Sequence, residues 1–140
     1  DSVSDIATLD LSDSAPGLFE TNVQGRNIGI AAHADGQLVT AQNPAAPGET
    51  IVVYGTGFGP VDEAQQSGEI APARIIRTRG AAAATIAGRD AAVLFSGLTP
   101  GFVGLYQANV TLPSGTPSGE QDFVLTVNGV ASNTVKIAVR

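Results

Sequence analysis

His33 is the only histidine of the chain, and it sits two residues ahead of an Asp35-Gly36 pair. A side chain that titrates near neutrality is the usual proton carrier of a hydrolase. Such an enzyme also needs a nucleophile and an orienting acid, yet no serine lies in a Gly-x-Ser-x-Gly elbow. His33 therefore reads as an exposed hairpin residue without a catalytic partner. The chain has no cysteine, which removes thiolate catalysis, disulfides and cysteine-ligated metals. No catalytic residue and no cofactor is expected.

Binding chemistry is better supplied. Asp62, Glu63 and Glu69 cluster in a polar stretch and carry the oxygen ligands that a hard cation such as calcium takes. The spaced pattern of a calcium loop is missing, so a solvated acidic loop is the expectation, with calcium as the alternative. Tyr106, Gln107 and Asn109 set two amides beside an aromatic, the chemistry that docks a sugar. The simpler role turns Tyr106 into the core, lines the outer sheet with Gln107 and Asn109, and holds the 100–104 loop in place. That structural role is the expectation here. The string Gly55-Thr56-Gly57-Phe58-Gly59 follows an apolar run and invites comparison with a phosphate cradle. Its spacing lacks the third glycine of a dinucleotide fingerprint, and Pro60 follows where a helix should begin. The expectation is a turn between sheets with Phe58 tucked beneath. Arg74, Arg77 and Arg79 form the only cationic group, and pairing with the chain's own carboxylates is expected, worth about 0 to 1 kcal/mol per exposed pair.

Charge narrows the partners. The formal charge is -6 and only 7 residues are Lys or Arg. No basic face can then neutralise a run of phosphates, so nucleic acid is not expected as a partner. No apolar run reaches the roughly 18 to 20 residues that span a bilayer, so no membrane insertion is expected. The chain contains no Met; Asp1 is expected to be a processing boundary, which leaves the lack of a signal peptide uninformative about compartment.

The elements that must position these residues are short and extended. The 17 Gly and 8 Pro are scattered along the chain, which suits many strands joined by turns and suits long helices poorly. Residues 2–11 alternate as a half-exposed strand. Residues 27–33 and 37–42 flank Ala34-Asp35-Gly36, a hairpin signal. The β-branched run 50–54 reads as a buried strand, and 60–73 as a long excursion with a short strand at 74–78. Strands follow at 82–87 and 91–95, joined by a turn at Gly88-Arg89. Residues 106–112 alternate apolar and polar, as do 123–127 and 135–139, with a second hairpin signal at Asn128-Gly129. About nine strands and no helix are expected: an all-β chain, in one domain of 1–140.

Two stretches carry a resemblance. Pro47-Gly48-Glu49-Thr50-Ile51-Val52-Val53-Tyr54 leading into Gly55-Thr56-Gly57-Phe58-Gly59, together with Val124-Leu125-Thr126-Val127-Asn128-Gly129-Val130-Ala131-Ser132-Asn133, resembles the immunoglobulin-like domains called TIG or IPT. That likeness covers about 44–140 and implies a β-sandwich core there, with 1–43 as an N-terminal strand and hairpin extension. A narrower likeness rests on Pro16-Gly17-Leu18-Phe19, Asp35-Gly36, the 44–49 turn and above all Pro100-Gly101-Phe102-Val103-Gly104-Leu105-Tyr106-Gln107. These are similar to an uncharacterised C-terminal domain family of Solibacter-type acidobacterial exported proteins. The resemblance implies a secreted or cell-surface tail and supplies no catalytic residue. TIG domains that touch DNA do so through basic loops, which this acidic chain does not share.

The expected function is thus a noncatalytic accessory module at the C-terminus of a larger secreted or cell-surface protein, acting as spacer or in attachment. Its expected partners are neighbouring domains, a surface protein or a glycan. Carbohydrate binding is the alternative, short of exposed aromatics with two Tyr and no Trp, and a hydrolase ranks last.

Overall fold

The computed structural model describes residues 16–58, 78, 81–100, 102 and 105–140. Among these there is no helix, and the strands in chain order are β1 (Gly17–Leu18), β2 (Glu20–Val23), β3 (Arg26–Gly29), β4 (Ala31–Ala32), β5 (Thr50–Thr56), β6 (Ala82–Ile86), β7 (Arg89–Leu98), β8 (Tyr106–Thr111), β9 (Gly119–Val127), β10 (Val130–Ala131) and β11 (Val135–Val139). Residues 2–11, the acidic trio Asp62, Glu63 and Glu69, and Arg74, Arg77 and Arg79 lie outside the described residues.

Short strands follow from the turn chemistry. Gln24-Gly25, Ala87-Gly88 and Asn128-Gly129 each hold two successive residues at positive φ, the two-residue hairpin geometry whose twist matches that of the flanking strands. They join β2 to β3, β6 to β7 and β9 to β10. The β6–β7 turn sits one residue earlier than expected. The Asp35-Gly36 turn is a three-residue loop, closed by the His33 N–H on the Gln37 carbonyl at 2.8 Å, with only Gly36 at positive φ. Its arms are shorter than the sequence implies, because the 27–33 run divides at Ile30 between β3 and β4. The β2–β3 hairpin was not expected.

The strands form one hydrogen-bonded path, β1-β5-β8-β7-β6-β9-β11-β3-β2, with β4 also on β5 and β10 also on β9. The pairings are antiparallel except where β3 runs parallel to β11 at Ile28 and Lys136, and where Ala45 bridges Val139. Strand β7 belongs to both halves of the path: Ala91 pairs with Ala84 of β6, whereas Ala92 already pairs with Thr111 of β8. The chain changes halves again at Phe19, between β1 and β2, and at Ile30, between β3 and β4. The path therefore bends back towards its own beginning.

Period-two alternation fills the space inside. Ile51 and Val53 of β5, Ala108 and Val110 of β8, Phe123, Leu125 and Val127 of β9, and Val135 and Ile137 of β11 are all buried. Phe58, just past β5, is fully buried and its ring lies 5.3 Å from that of Tyr106. The burial of Phe58 agrees with its expected place beneath the glycine string, whose Gly57 stands at φ +73°; Gly55 and Thr56 belong to β5, and Gly59 and Pro60 lie outside the described residues.

Besides the β3–β11 pairing, the N-terminal strands are tied to the C-terminal end by the Asn133 side chain. Asn133 accepts the Leu18 N–H at 2.7 Å and donates to the Leu18 carbonyl at 3.0 Å, so its amide stands in for a neighbouring strand. On the other side β1 lies so close to β5 that a Cβ on Gly55 would stand 2.4 Å from the Gly17 carbonyl oxygen. Backbone cannot give way there as a flexible side chain would. Gly55→Ala is expected to lower unfolding free energy by about 1 to 3 kcal/mol, as overpacking does, read from the midpoint of a urea titration; an unchanged midpoint would show that β1 does not press on β5.

Candidate functional site

The register of β5, β8 and β7 decides which side chains share the outer face of that half of the path. Thr50, Val52 and Tyr54 stand opposite Thr111, Asn109 and Gln107. All six point away from the core, since Ile51, Val53, Ala108 and Val110 between them are buried. The Thr50 and Thr111 hydroxyls meet at 2.7 Å, as two groups on one face of a sheet must. On the far side of β8, Phe95 stands opposite Asn109 and Gly97 opposite Gln107.

A bulge sets Phe95 there. The register slips between Val93 and Phe95, so Leu94, which simple alternation would place opposite Asn109, is left 59% exposed and Phe95 takes its position. Re-aiming a side chain is a recurrent use of bulges. Phe19 joins the same face beside Tyr54, to whose carbonyl its N–H donates at 3.0 Å; its side chain is exposed.

The result is a pair of amides framed by rings. Gln107 Nε2 donates to Asn109 Oδ1 at 3.0 Å. An amide carries one acceptor oxygen and two donor hydrogens. Gln107 Oε1 and Asn109 Nδ2 thus stay open, with no partner among the described residues, one as acceptor and one as donor. Tyr54 flanks the first and Phe95 the second.

Of the sequence candidates, Gln107 and Asn109 stand together on this face and Tyr106 does not. Tyr106 shares the inward face of β8 with Ala108 and Val110 and packs on Phe58. The aromatic companions of the amides are Tyr54 and Phe95, which the sequence reading passed over. Tyr54 closes the 50–54 run, which reads as a buried strand. Placing Phe95 outward requires the bulge, for which the sequence gives no sign.

His33 needs a correction: its side chain is only 14% exposed. Nδ1 meets the Glu49 carboxylate and Nε2 donates to the Asn43 carbonyl at 2.9 Å, contacts made by residues 10 and 16 positions away and invisible to local pattern. Both ring nitrogens are engaged by oxygens of the chain itself. Among the described residues no group of three or more His, Cys, Asp or Glu gathers as a metal site would require.

No family model, no curated protein and no solved structure matches the chain.

Burial raises the pKa of the Tyr106 phenol above its usual value of 10.0. An acid whose folded pKa is raised contributes stability that is complete below the unfolded value and is lost as pH climbs through the folded one. In a Tyr54→Phe variant, ultraviolet titration of the remaining phenol is expected to show a midpoint above that of free tyrosine. A midpoint at the free value would place Tyr106 in solvent.

Proposed function

We propose that the chain is a noncatalytic accessory module of a larger secreted or cell-surface protein, making contact through the outer face of β5, β8 and β7. The observation that carries this reading is the composition of that face: Tyr54, Phe95 and exposed Phe19 around the Gln107–Asn109 pair. Aromatic and apolar groups around a few oriented polar atoms are the usual make-up of a recognition surface. The engagement of both His33 nitrogens supports a role without proton transfer.

The finer architecture belongs to the same proposal. An immunoglobulin-like sandwich of the TIG or IPT kind, with 1–43 as an extension on a 44–140 core, agrees with two ladders that share a core and exchange strands at Phe19, Ile30 and Ala91. Residues 17–32 pair with β5 and β11, which favours reading the extension as part of the same domain.

A second reading, carbohydrate binding, is favoured by one detail. The open acceptor on Gln107 and open donor on Asn109 match the paired donor and acceptor character of a sugar hydroxyl, and flanking rings offer apolar surface to a pyranose face.

Binding of the labelled chain to envelope fractions and to a glycan array separates these readings. A Tyr54→Ala, Phe95→Ala double variant is expected to lose roughly tenfold in retention, about 1.4 kcal/mol, while keeping its β-sheet circular-dichroism spectrum. Retention on defined glycans, lost in the variant, would select the carbohydrate reading. Turnover of ester, glycoside or peptide substrates by the purified chain would overturn the noncatalytic one.

A further inference from the structure

A cleft of about 420 Å³ opens on the opposite half of the path from the aromatic face. It lies where β3 leaves the side of β11 and before Ala45 takes up the same flank, so a gap in the ladder forms its floor at Gly29 and Ala138. One wall is the β2–β3 hairpin, through Val23, Arg26 and Ile28. The other is the loop of residues 38–42. Arg26 and Glu120, at the cleft's edge, pair at 3.0 Å.

The middle of the loop wall is held to β4, where the Val39 N–H donates to the Ala31 carbonyl at 2.9 Å, and both of its ends meet His33. At one end the His33 backbone N–H donates to the Gln37 carbonyl at 2.8 Å. At the other, His33 Nε2 donates to the Asn43 carbonyl at 2.9 Å. Behind it Glu49 receives Nδ1, and its second oxygen accepts the Ala46 N–H at 2.8 Å. Within the loop, Thr40 and Asn43 exchange backbone hydrogen bonds at 3.2 and 3.0 Å.

Both ring nitrogens therefore face oxygens that accept. A carbonyl cannot donate, so Nε2 must carry a hydrogen, and an ionised carboxylate asks the same of Nδ1. A neutral imidazole has only one hydrogen to give. Next to a carboxylate it keeps that hydrogen on Nδ1, because the charge-assisted bond is the stronger. The Nε2 lone pair is then turned against the Asn43 carbonyl, and the two repel.

We propose that His33 is a proton-controlled clasp: as the imidazolium it fastens residues 38–43 as the wall of the cleft, and on losing its proton it releases the Asn43 end. The charged groups acting on it are Glu49, from the turn ahead of β5, and Asp35, from its own turn; residues 36–48, which supply the loop, carry no charged side chain. The Asn43 carbonyl, then Glu49, hold the imidazole pKa above its usual 6.5 against the opposing effect of burial. The sign follows. A raised folded pKa means that the clasp's stabilisation is complete below the unfolded value, about 6.5, and is lost as pH rises through the folded midpoint.

Nitrogen NMR of the imidazole, followed from pH 5 to 9 in the intact chain, tests this together with the backbone amides of Thr40 and Asn43. The expected midpoint lies above 6.5, with both amide shifts moving at that same midpoint. Glu49→Gln is expected to lower the midpoint, and His33→Gln to leave the two amides flat across the range. A midpoint at or below 6.5, or amides that stay still while the imidazole titrates, would overturn the clasp. The wild-type titration alone decides between these outcomes, so a variant that failed to fold would leave the answer intact.

Discussion

Every backbone N–H and C=O removed from water must find a partner, and in a chain without helices among its described residues those partners are other strands. Strand β7 is where this demand is met for the whole path. Its first residues complete the ladder of β6 and its later ones that of β8, so one continuous stretch satisfies both halves and forces them to face each other. The buried side chains of β5, β8, β9 and β11 then meet in the space between. The bulge at Val93 and Phe95 belongs to the same strand. The element that joins the halves thereby also sets the composition of the outer face.

Much of this was legible in the residues. Alternation placed β8, β9 and β11 with the correct inward set, because a half-buried strand writes its burial into every second position. Asn128-Gly129 named its own turn, and the glycines around Phe58 pointed to a tucked ring, which its burial bears out. The β2–β3 hairpin escaped because all of Glu20, Thr21, Asn22 and Val23 are exposed; with no buried face there is no pattern to read, and Gln-Gly is a weaker turn signal than Asn-Gly. The site was half legible. Gln107 and Asn109 were found from strand parity alone, whereas Tyr54 was absorbed into an apolar run and Phe95 depended on a slip in register. His33 was misjudged since its partners come from Asn43 and Glu49 and not from its hairpin.

The two proposed contact regions differ in what holds them. Tyr54, Phe95, Gln107 and Asn109 of the aromatic face stand on paired strands, so their geometry is that of the ladder. The cleft depends on a loop whose ends converge on one residue, His33, one on its backbone N–H and the other on its imidazole, and whose own length is uncharged. A surface of the first kind suits steady contact, and one of the second kind suits contact that varies with conditions. Asn133 works as a neutral counterpart of His33: it also fastens distant backbone through an amide or ring that offers both ends, yet nothing about it changes with pH in the ordinary range.

The path stops at β1 on one side, two residues long, and at β2 on the other, four residues long. Extended growth of one chain upon another begins at such borders, and it needs a long flat row of unsatisfied peptide groups to take hold. These borders offer only brief rows, β2 turns away sharply at Gln24-Gly25, and the formal charge of -6 keeps copies apart. The described strands thus present little template for fibrillar stacking, and crowded copies of the chain would repel one another before they could zip together.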